Sequence, residues 1–310
     1  MDIKKIIIAG SGTMGSSMGA SFAKYGFETT IYDISSDAIE KAKSLIKLNL
    51  ETEISEKIIS KKEAEILLNR LNFSMEKEVF NNADLVVEAI IENIDIKKDF
   101  WAEISKIVPK QTILTTNTSG LSITRIQEAV IEPERFAGFH WINPPHIIPL
   151  IEIIKGEKTN DETIEKIYKL SESIDKKPVI VNDAPGFVLN RLQFAILREA
   201  LHIVENGIST VEGVDDVMKY GLGGRYAALG PFQVADLGGL DIFYNISSYL
   251  FNDLGDEKEP FSILKESYEK GEYGVKSKKG FYDYSNGKDE EIIRYRDEIL
   301  TKISKIQKEK

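Results

Sequence analysis

The sequence predicts an α/β protein in which a doubly wound sheet precedes a smaller all-helical domain. Short β-branched runs alternate with helix-length amphipathic segments through the first part of the chain. The pattern breaks at Asp183-Ala184-Pro185-Gly186, and only helical periodicity follows. Domains are therefore expected at 1–184 and 185–310, and 310 residues supply core for two.

Ile3 to Ala9 (IKKIIIA) is a β-branched run closed by Gly10 and reads as a buried parallel strand. Helical spacing with small residues follows over Thr13 to Tyr25, then a second strand over Glu28 to Tyr32 (ETTIY). Helices are expected at about 36–49 and 55–69, a buried strand at Ala83 to Ala89 (ADLVVEA), and a helix at 94–107 with Phe100 and Trp101 inward. Thr112 to Thr116, Arg135 to His140 and Leu150 to Ile154 read as further strands, with Pro178 to Val181 the last. Beyond the break, Phe187 to Asn206 (FVLNRLQFAILREALHIVEN) is apolar round most of its circumference. It calls for burial in a domain core or against a second subunit. Helices at about 210–220, 230–252 and 260–270 complete the domain, and the Lys-rich helix 289–310 reads as a solvated end.

Charge and composition narrow the function. A net charge of −10 and a pI near 5.1 argue against a nucleic-acid surface and offer no general attraction to anionic membranes. The chain has no cysteine, which excludes disulfides, thiolate nucleophiles and sulfur-ligated metals. Its three histidines, His140, His146 and His202, are too scattered to suggest a metal site. No apolar run reaches the roughly 20 residues that a membrane span requires. The chain opens straight into a strand in place of a cleavable signal, so a cytoplasmic protein is expected.

Gly10-Ser11-Gly12-Thr13-Met14-Gly15 follows the first strand and opens the first helix. Gly10 permits the tight turn, Gly12 lets the backbone approach a pyrophosphate, and Gly15 lets helix and strand pack closely. The helix N-terminus adds unpaired N–H groups and positive partial charge. Asp33 ends the second strand about 20 residues on, where a carboxylate accepts from ribose hydroxyls and repels a 2′-phosphate. This is a Rossmann-type arrangement, and NAD is expected over NADP. The plainer alternative makes the glycines a strand–helix turn and Asp33 a helix cap.

Three further segments carry groups suited to chemistry. Asn117-Thr118-Ser119-Gly120 leaves a strand at the carboxyl edge of the sheet, where ligands of open α/β sheets bind. Read alone, Thr118 and Ser119 suit helix capping. His140 ends the strand RFAGFH, and a lone histidine in apolar company is usually a satisfied core residue. Glu152 changes that reading. It lies inside Leu150-Ile151-Glu152-Ile153-Ile154, where a carboxylate is costly unless paired, and the connection from His140 is short enough for the strands to be neighbours. A carboxylate holding one imidazole nitrogen fixes the tautomer and stabilises the imidazolium formed when the other takes a proton. Asn190, in the first turn of the long helix, suits a plain cap or a substrate contact equally.

GSGTMG, Asp33, the Asn-Thr-Ser segment, His140-Trp141-Ile142-Asn143-Pro144, Glu152 and PGFVLNR together resemble the L-3-hydroxyacyl-CoA dehydrogenase family. The resemblance runs over nearly the whole chain, to Lys279-Gly280-Phe281-Tyr282. It implies NAD-dependent oxidation of a short 3-hydroxyacyl-CoA, a setting in fatty acid metabolism, with His140 as general base and Glu152 as its partner. It further implies Ser119 and Asn190 as hydrogen-bonding groups for substrate oxygens, and Glu92, Lys97, Asn117 and Asn143 near the cofactor. A homodimer through the apolar helix 187–206 is expected.

Three features depart from the family's pattern. Gly120 stands where the family has a second serine. Asn143 to Leu150 (NPPHIIPL) and Gly221 to Tyr226 (GLGGRY) resemble the lambda-crystallin, L-gulonate dehydrogenase and carnitine dehydrogenase branch, whose members act on free hydroxy acids. Arg225 is there a candidate clamp for a substrate carboxylate, or a surface arginine. The hairpin that meets the CoA nucleotide in the family carries Glu51, Glu53 and Glu56 among Lys47, Lys57, Lys61 and Lys62. A short 3-hydroxyacyl-CoA is the first expectation and a free 3-hydroxy acid the second. A 6-phosphogluconate-type dehydrogenase needs a lysine where Gly186 stands, and a non-catalytic NAD-binding protein has no need of the His–Glu pair.

Overall fold

The isoleucine run near the start of the chain forms β1 (Lys5–Ala9), with Ile6, Ile7, Ile8 and Ala9 all buried. A strand apolar on both faces must be covered on both, which places it inside a sheet layered by helices. The computed structural model describes residues 3–55 and 58–308 and bears this out. β1 lies among β2 (Glu28–Tyr32), β3 (Leu71–Ser74), β4 (Leu85–Glu88), β5 (Ile113–Thr116), β6 (Phe136–Trp141), β7 (Leu150–Lys155) and β8 (Lys177–Asn182). The order across the sheet is β3-β2-β1-β4-β5-β6-β7-β8. Every neighbouring pair is parallel except β6 and β7, which run antiparallel with His140 directly opposite Glu152. The order reverses between β1 and β4, so the loops at their carboxyl ends frame a crevice.

Alternate residues of the strands feed two cores. Ile6 and Ile8 pack with Met18 and Phe22 of α1 (Thr13–Lys24), with Ile46 and Leu50 of α2 (Ser36–Ser55), with Leu67 of α3 (Lys61–Asn69), and with Trp141. On the opposite face Ile7 and Ala9 pack with Trp101 of α4 (Ile94–Ile107), with Ile123 and Ile126 of α5 (Ile123–Gln127), and with Phe80 and Phe136. Phe100 packs at the margin of this second core. On the first face, α6 (Asp161–Ser173) adds Ile164, Ile167 and Leu170. Strand β8 is the border of the sheet, with Val179 and Ile180 exposed.

The first helical stretch continues through Ser55, past the expected end near 49. The next helix begins at Lys61, later than expected, because Ser60 and Glu63 form a reciprocal capping box there. β3, a four-residue edge strand, was not anticipated; Leu71-Asn72-Phe73-Ser74 is too short to carry a clear period.

The described chain falls into two compact units, the first ending at Asn190 and the second beginning at Arg191. The second unit holds most of α7 (Leu189–Glu205), then α8 (Val211–Asp216), a π-helical turn at Val217–Gly223, α9 (Gly224–Ala228), α10 (Pro231–Gly238), α11 (Leu240–Leu250), α12 (Ser262–Glu269) and α13 (Lys288–Lys308). The helix expected over 230–252 is two helices, because Gly239 adopts φ 91° and breaks the ladder. Polar side chains of α7 tie down the loop before α12 and the first residue of that helix. Glu199 accepts from the Gly255 N–H at 2.8 Å, His202 pairs with Glu257 at 2.7 Å, and Glu205 accepts from Ser262 Oγ at 2.6 Å. Burial of α7 within a domain core is not what the chain does. Only Leu201 of this helix is buried, and Leu192, Phe194 and Ile196 are exposed.

The glycines of the β1–α1 turn divide by what surrounds them. A Cβ on Gly15 would lie 1.9 Å from the Gly10 carbonyl oxygen, whereas one on Gly12 would meet nothing within 4 Å. Gly15→Ala is therefore expected to cost about 1–3 kcal/mol, and Gly12→Ala less than about 0.5 kcal/mol, in urea unfolding.

Candidate active site

The glycine turn is built as the spacing predicts. Gly10 takes φ 107° and lies so close to β4 that a Cβ would sit 2.5 Å from the Ala89 carbonyl oxygen. Gly12 caps α1 with extended backbone and no side chain to bond the helix end, and a Cβ built there would meet nothing within 4 Å. Thr13 is exposed there, while Met14 packs against the first core. Asp33, just after β2, accepts from Ser11 N–H at 2.8 Å and Ser11 Oγ at 2.7 Å through one oxygen, and from Ser35 N–H at 3.0 Å through the other. Asp33 is thus an oriented carboxylate beside the turn. Unfilled space over Gly12, a helix N-terminus and a fixed carboxylate fit a dinucleotide's pyrophosphate and ribose.

The register of β6 and β7 joins His140 to Glu152. His140 Nδ1 lies 2.8 Å from Glu152 Oε2, and both side chains are buried. Burial alone would push the Glu152 carboxyl up. Hydrogen bonds from His140 and from the backbone N–H groups of Leu189 and Val188 outweigh it and hold the group below the ordinary carboxylate range. Glu152 is therefore ionised near neutrality, and a carboxylate at this distance favours the imidazole tautomer with its proton on Nδ1. Nε2 is then the basic nitrogen.

A second buried carboxylate organises the neighbouring loops. Glu88 ends β4 fully buried and pairs with the equally buried Lys97 at 2.5 Å. It also accepts from the Ile90 N–H at 2.9 Å and from Thr116 Oγ1 at 2.7 Å. Lys97 reaches Glu92 at 3.4 Å. Glu92 in turn accepts from Thr118 Oγ1 at 2.5 Å and from the Ser119 N–H at 2.9 Å. Asn190 Nδ2 donates to the Ser119 carbonyl at 2.6 Å. Asn117 Oδ1 accepts from the Trp141 N–H at 2.8 Å, binding this segment to the strand that carries His140.

Thr118 Oγ1 accepts from the Leu121 N–H at 3.0 Å in the turn before α5, while the helix cap itself is Ser122, which accepts from the Arg125 N–H at 3.2 Å. Asn190 lies inside the first turn of α7, its amide directed to Ser119. Asn143 is exposed in the loop after β6. Arg225 is exposed on α9, in the second unit. Glu56 and Lys57 lie outside the described residues. Among the described residues no three potential ligands converge as a metal site, and no helix is long and apolar enough to cross a membrane.

Three contributors were missed in the sequence. Glu88 carried the same signal as Glu152, a carboxylate inside an apolar strand. Lys176 donates to the carbonyls of Pro145 at 2.5 Å and Ile148 at 2.7 Å, pinning the loop that follows His140, and sits 4.9 Å from the Trp141 ring centroid. Phe187 packs its ring 5.8 Å from that of His140. Neither of these two has a local sequence signal.

Comparison with known proteins agrees with this architecture. The model of the 3-hydroxyacyl-CoA dehydrogenase NAD binding domain matches residues 5–184, and that of the same family's C-terminal domain matches 186–284. A 5-formyl-3-hydroxy-2-methylpyridine 4-carboxylate 5-dehydrogenase from Mesorhizobium japonicum is 39% identical over 91% of each chain. A 3-hydroxybutyryl-CoA dehydrogenase from Clostridioides difficile is 35% identical over 91% of this chain and 99% of its own. The crystal structure of a 5-formyl-3-hydroxy-2-methylpyridine 4-carboxylic acid 5-dehydrogenase, described as an NAD+-dependent dismutase, superposes with a TM-score of 0.91 at 37% identity over 98% of both chains. With both of its domains matched, the chain belongs to the 3-hydroxyacyl-CoA dehydrogenase family and is an NAD-binding oxidoreductase.

Proposed function

We propose that this chain interconverts a short L-3-hydroxyacyl-CoA and its 3-keto form, with His140 as general base and Glu152 as its partner. The observation that carries the reading is the buried 2.8 Å contact between His140 Nδ1 and Glu152 Oε2 on adjoining strands of an NAD-binding sheet. When bound, NAD supplies the hydride acceptor. Gly10, Gly12, Thr13, Met14 and Gly15 would hold its pyrophosphate, Asp33 its ribose, and Glu92, Lys97, Asn117 and Asn143 its nicotinamide half. His140 Nε2 removes the proton of the 3-hydroxyl as C3 becomes a carbonyl carbon. Glu152 stabilises the imidazolium that forms. Ser119 and Asn190, tied together through the Ser119 carbonyl, orient the substrate oxygen. In reverse, the imidazolium returns its proton to the forming alkoxide.

A second reading, dehydrogenation of a free small hydroxy acid without CoA, is favoured by two observations. The Mesorhizobium relative is named for a pyridine carboxylate. Lysines on or beside the α2–α3 hairpin also have carboxylate partners: Lys47 lies 4.0 Å from Glu51, and Lys24 of α1 lies 2.9 Å from Glu53. Cations so paired offer less to a nucleotide phosphate. Arg225 is the candidate carboxylate clamp under this reading. We further propose a homodimer, because Leu192, Phe194 and Ile196 of α7 present apolar surface that this chain leaves exposed.

His140→Gln is expected to lower kcat by about 10²–10⁴-fold while NAD affinity, read by titration, stays within about twofold. Near-normal kcat in that variant removes the base assignment. Initial rates with 3-hydroxybutyryl-CoA are expected to exceed those with gulonate, carnitine and free 3-hydroxybutyrate; equal or lower rates with the thioester select the second reading. Light scattering at micromolar concentration is expected to give twice the 34.9 kDa chain mass, and a monomer refutes the dimer.

A further inference from the structure

Glu152 has more partners than the orientation of a base requires. One oxygen holds His140, while Oε1 accepts the backbone N–H groups of Val188 at 3.0 Å and Leu189 at 2.9 Å. Successive N–H groups converge on one anion at a helix N-terminus or in a tight turn, and the backbone before them sets where they aim. Here Gly186 (φ 76°) and Phe187 (φ 49°) are both left-handed. For Phe187, a bulky residue, that region is strained. The turn is anchored at both ends. The Phe187 N–H donates to the Ala184 carbonyl at 3.0 Å, and the ring is buried to 1% exposure beside His140. Strain of this kind persists only where surrounding contacts over-determine it, and it gathers at functional sites.

We propose that the Gly186–Phe187 turn is a positioning device for the base, pinning one oxygen of Glu152 so that the carboxylate plane, and through it the His140 imidazole, is fixed. A carboxylate free to rotate can offer Nδ1 either oxygen or neither. With Oε1 engaged twice, only Oε2 is left for the imidazole. The two donors also draw charge toward Oε1, which keeps the shared proton on Nδ1 and the lone pair on Nε2. Asn190 follows Leu189 directly and reaches Ser119, so the same turn sets the entry of α7 that carries this substrate-side amide. The turn's residues act through Glu152 and need not touch the substrate.

The inference rests on the His140–Glu152 reading, and a double-mutant cycle separates the two. Gly186→Val places a branched side chain where the backbone must be left-handed. It is compared with the parent in the Glu152 and the Glu152→Ala backgrounds, with NAD affinity titrated separately. In the Glu152 background kcat is expected to fall on the order of a hundredfold, as misplacement of a catalytic group does. NAD affinity stays within about twofold, and in the Glu152→Ala background the same substitution costs less than about threefold, because the residue it acts through is gone. Should Gly186→Val not fold, as judged by circular dichroism, Gly186→Ala strains the same backbone with one methyl and is scored identically. An equal loss in both backgrounds, or full kcat in a folded Gly186 variant, overturns the inference and leaves the base pair standing. Full kcat in Glu152→Ala overturns the base-pair reading, and this inference with it.

Discussion

The site depends on a carboxylate buried where water does not reach it. Removing an ionised glutamate from solvent is tolerable only if both oxygens find donors. Glu152 finds an imidazole on one side and two backbone N–H groups on the other. Those three donors come from β6 and from the approach to α7, so the charge itself dictates how closely the strand and the turn must meet. Packing alone would tolerate some slippage between them; an unpaired carboxylate would not.

The same solution occurs a second time in the sheet. Glu88 at the end of β4 is fully buried and gathers Lys97, Thr116 and the Ile90 N–H. Lys97 then hands its charge on to Glu92, which reaches the Thr118–Ser119 loop. Glu88 thus organises the loops that follow β4 and β5, and Glu152 joins His140 to the turn before α7. Asn190, through the Ser119 carbonyl, connects the two networks. The apolar cores above and below supply the stability of the sheet, while these polar contacts specify which loop conformation it presents.

What could be read in the sequence was what is encoded locally. The isoleucine run, the glycine spacing and Asp33 describe a strand, turn, helix and strand that are consecutive in the chain, and the fold has them in that order. The neighbourhood of His140 and Glu152 was legible because a short connection leaves few places for the second strand. Glu88 was legible in principle by the rule that singled out Glu152. The left-handed Phe187, the Lys176 contacts with two loop carbonyls and the edge strand Leu71–Ser74 depend on partners distant in sequence. The division of α10 from α11 turns on the conformation of Gly239, in a stretch whose periodicity otherwise reads as continuous.

The border strand β8 carries one more consequence. It flanks the strand of Glu152 and ends the sheet's strand order among the described residues, and Val179 and Ile180 are exposed. Such a rim invites another polypeptide to add itself by main-chain pairing. Pro178 brings no N–H to the ladder, and Lys177 begins the strand with a charge, two features that discourage recruitment of a stray strand. The strand next to the buried glutamate thus carries, in its first two residues, the features by which sheet borders resist pairing with a stray strand.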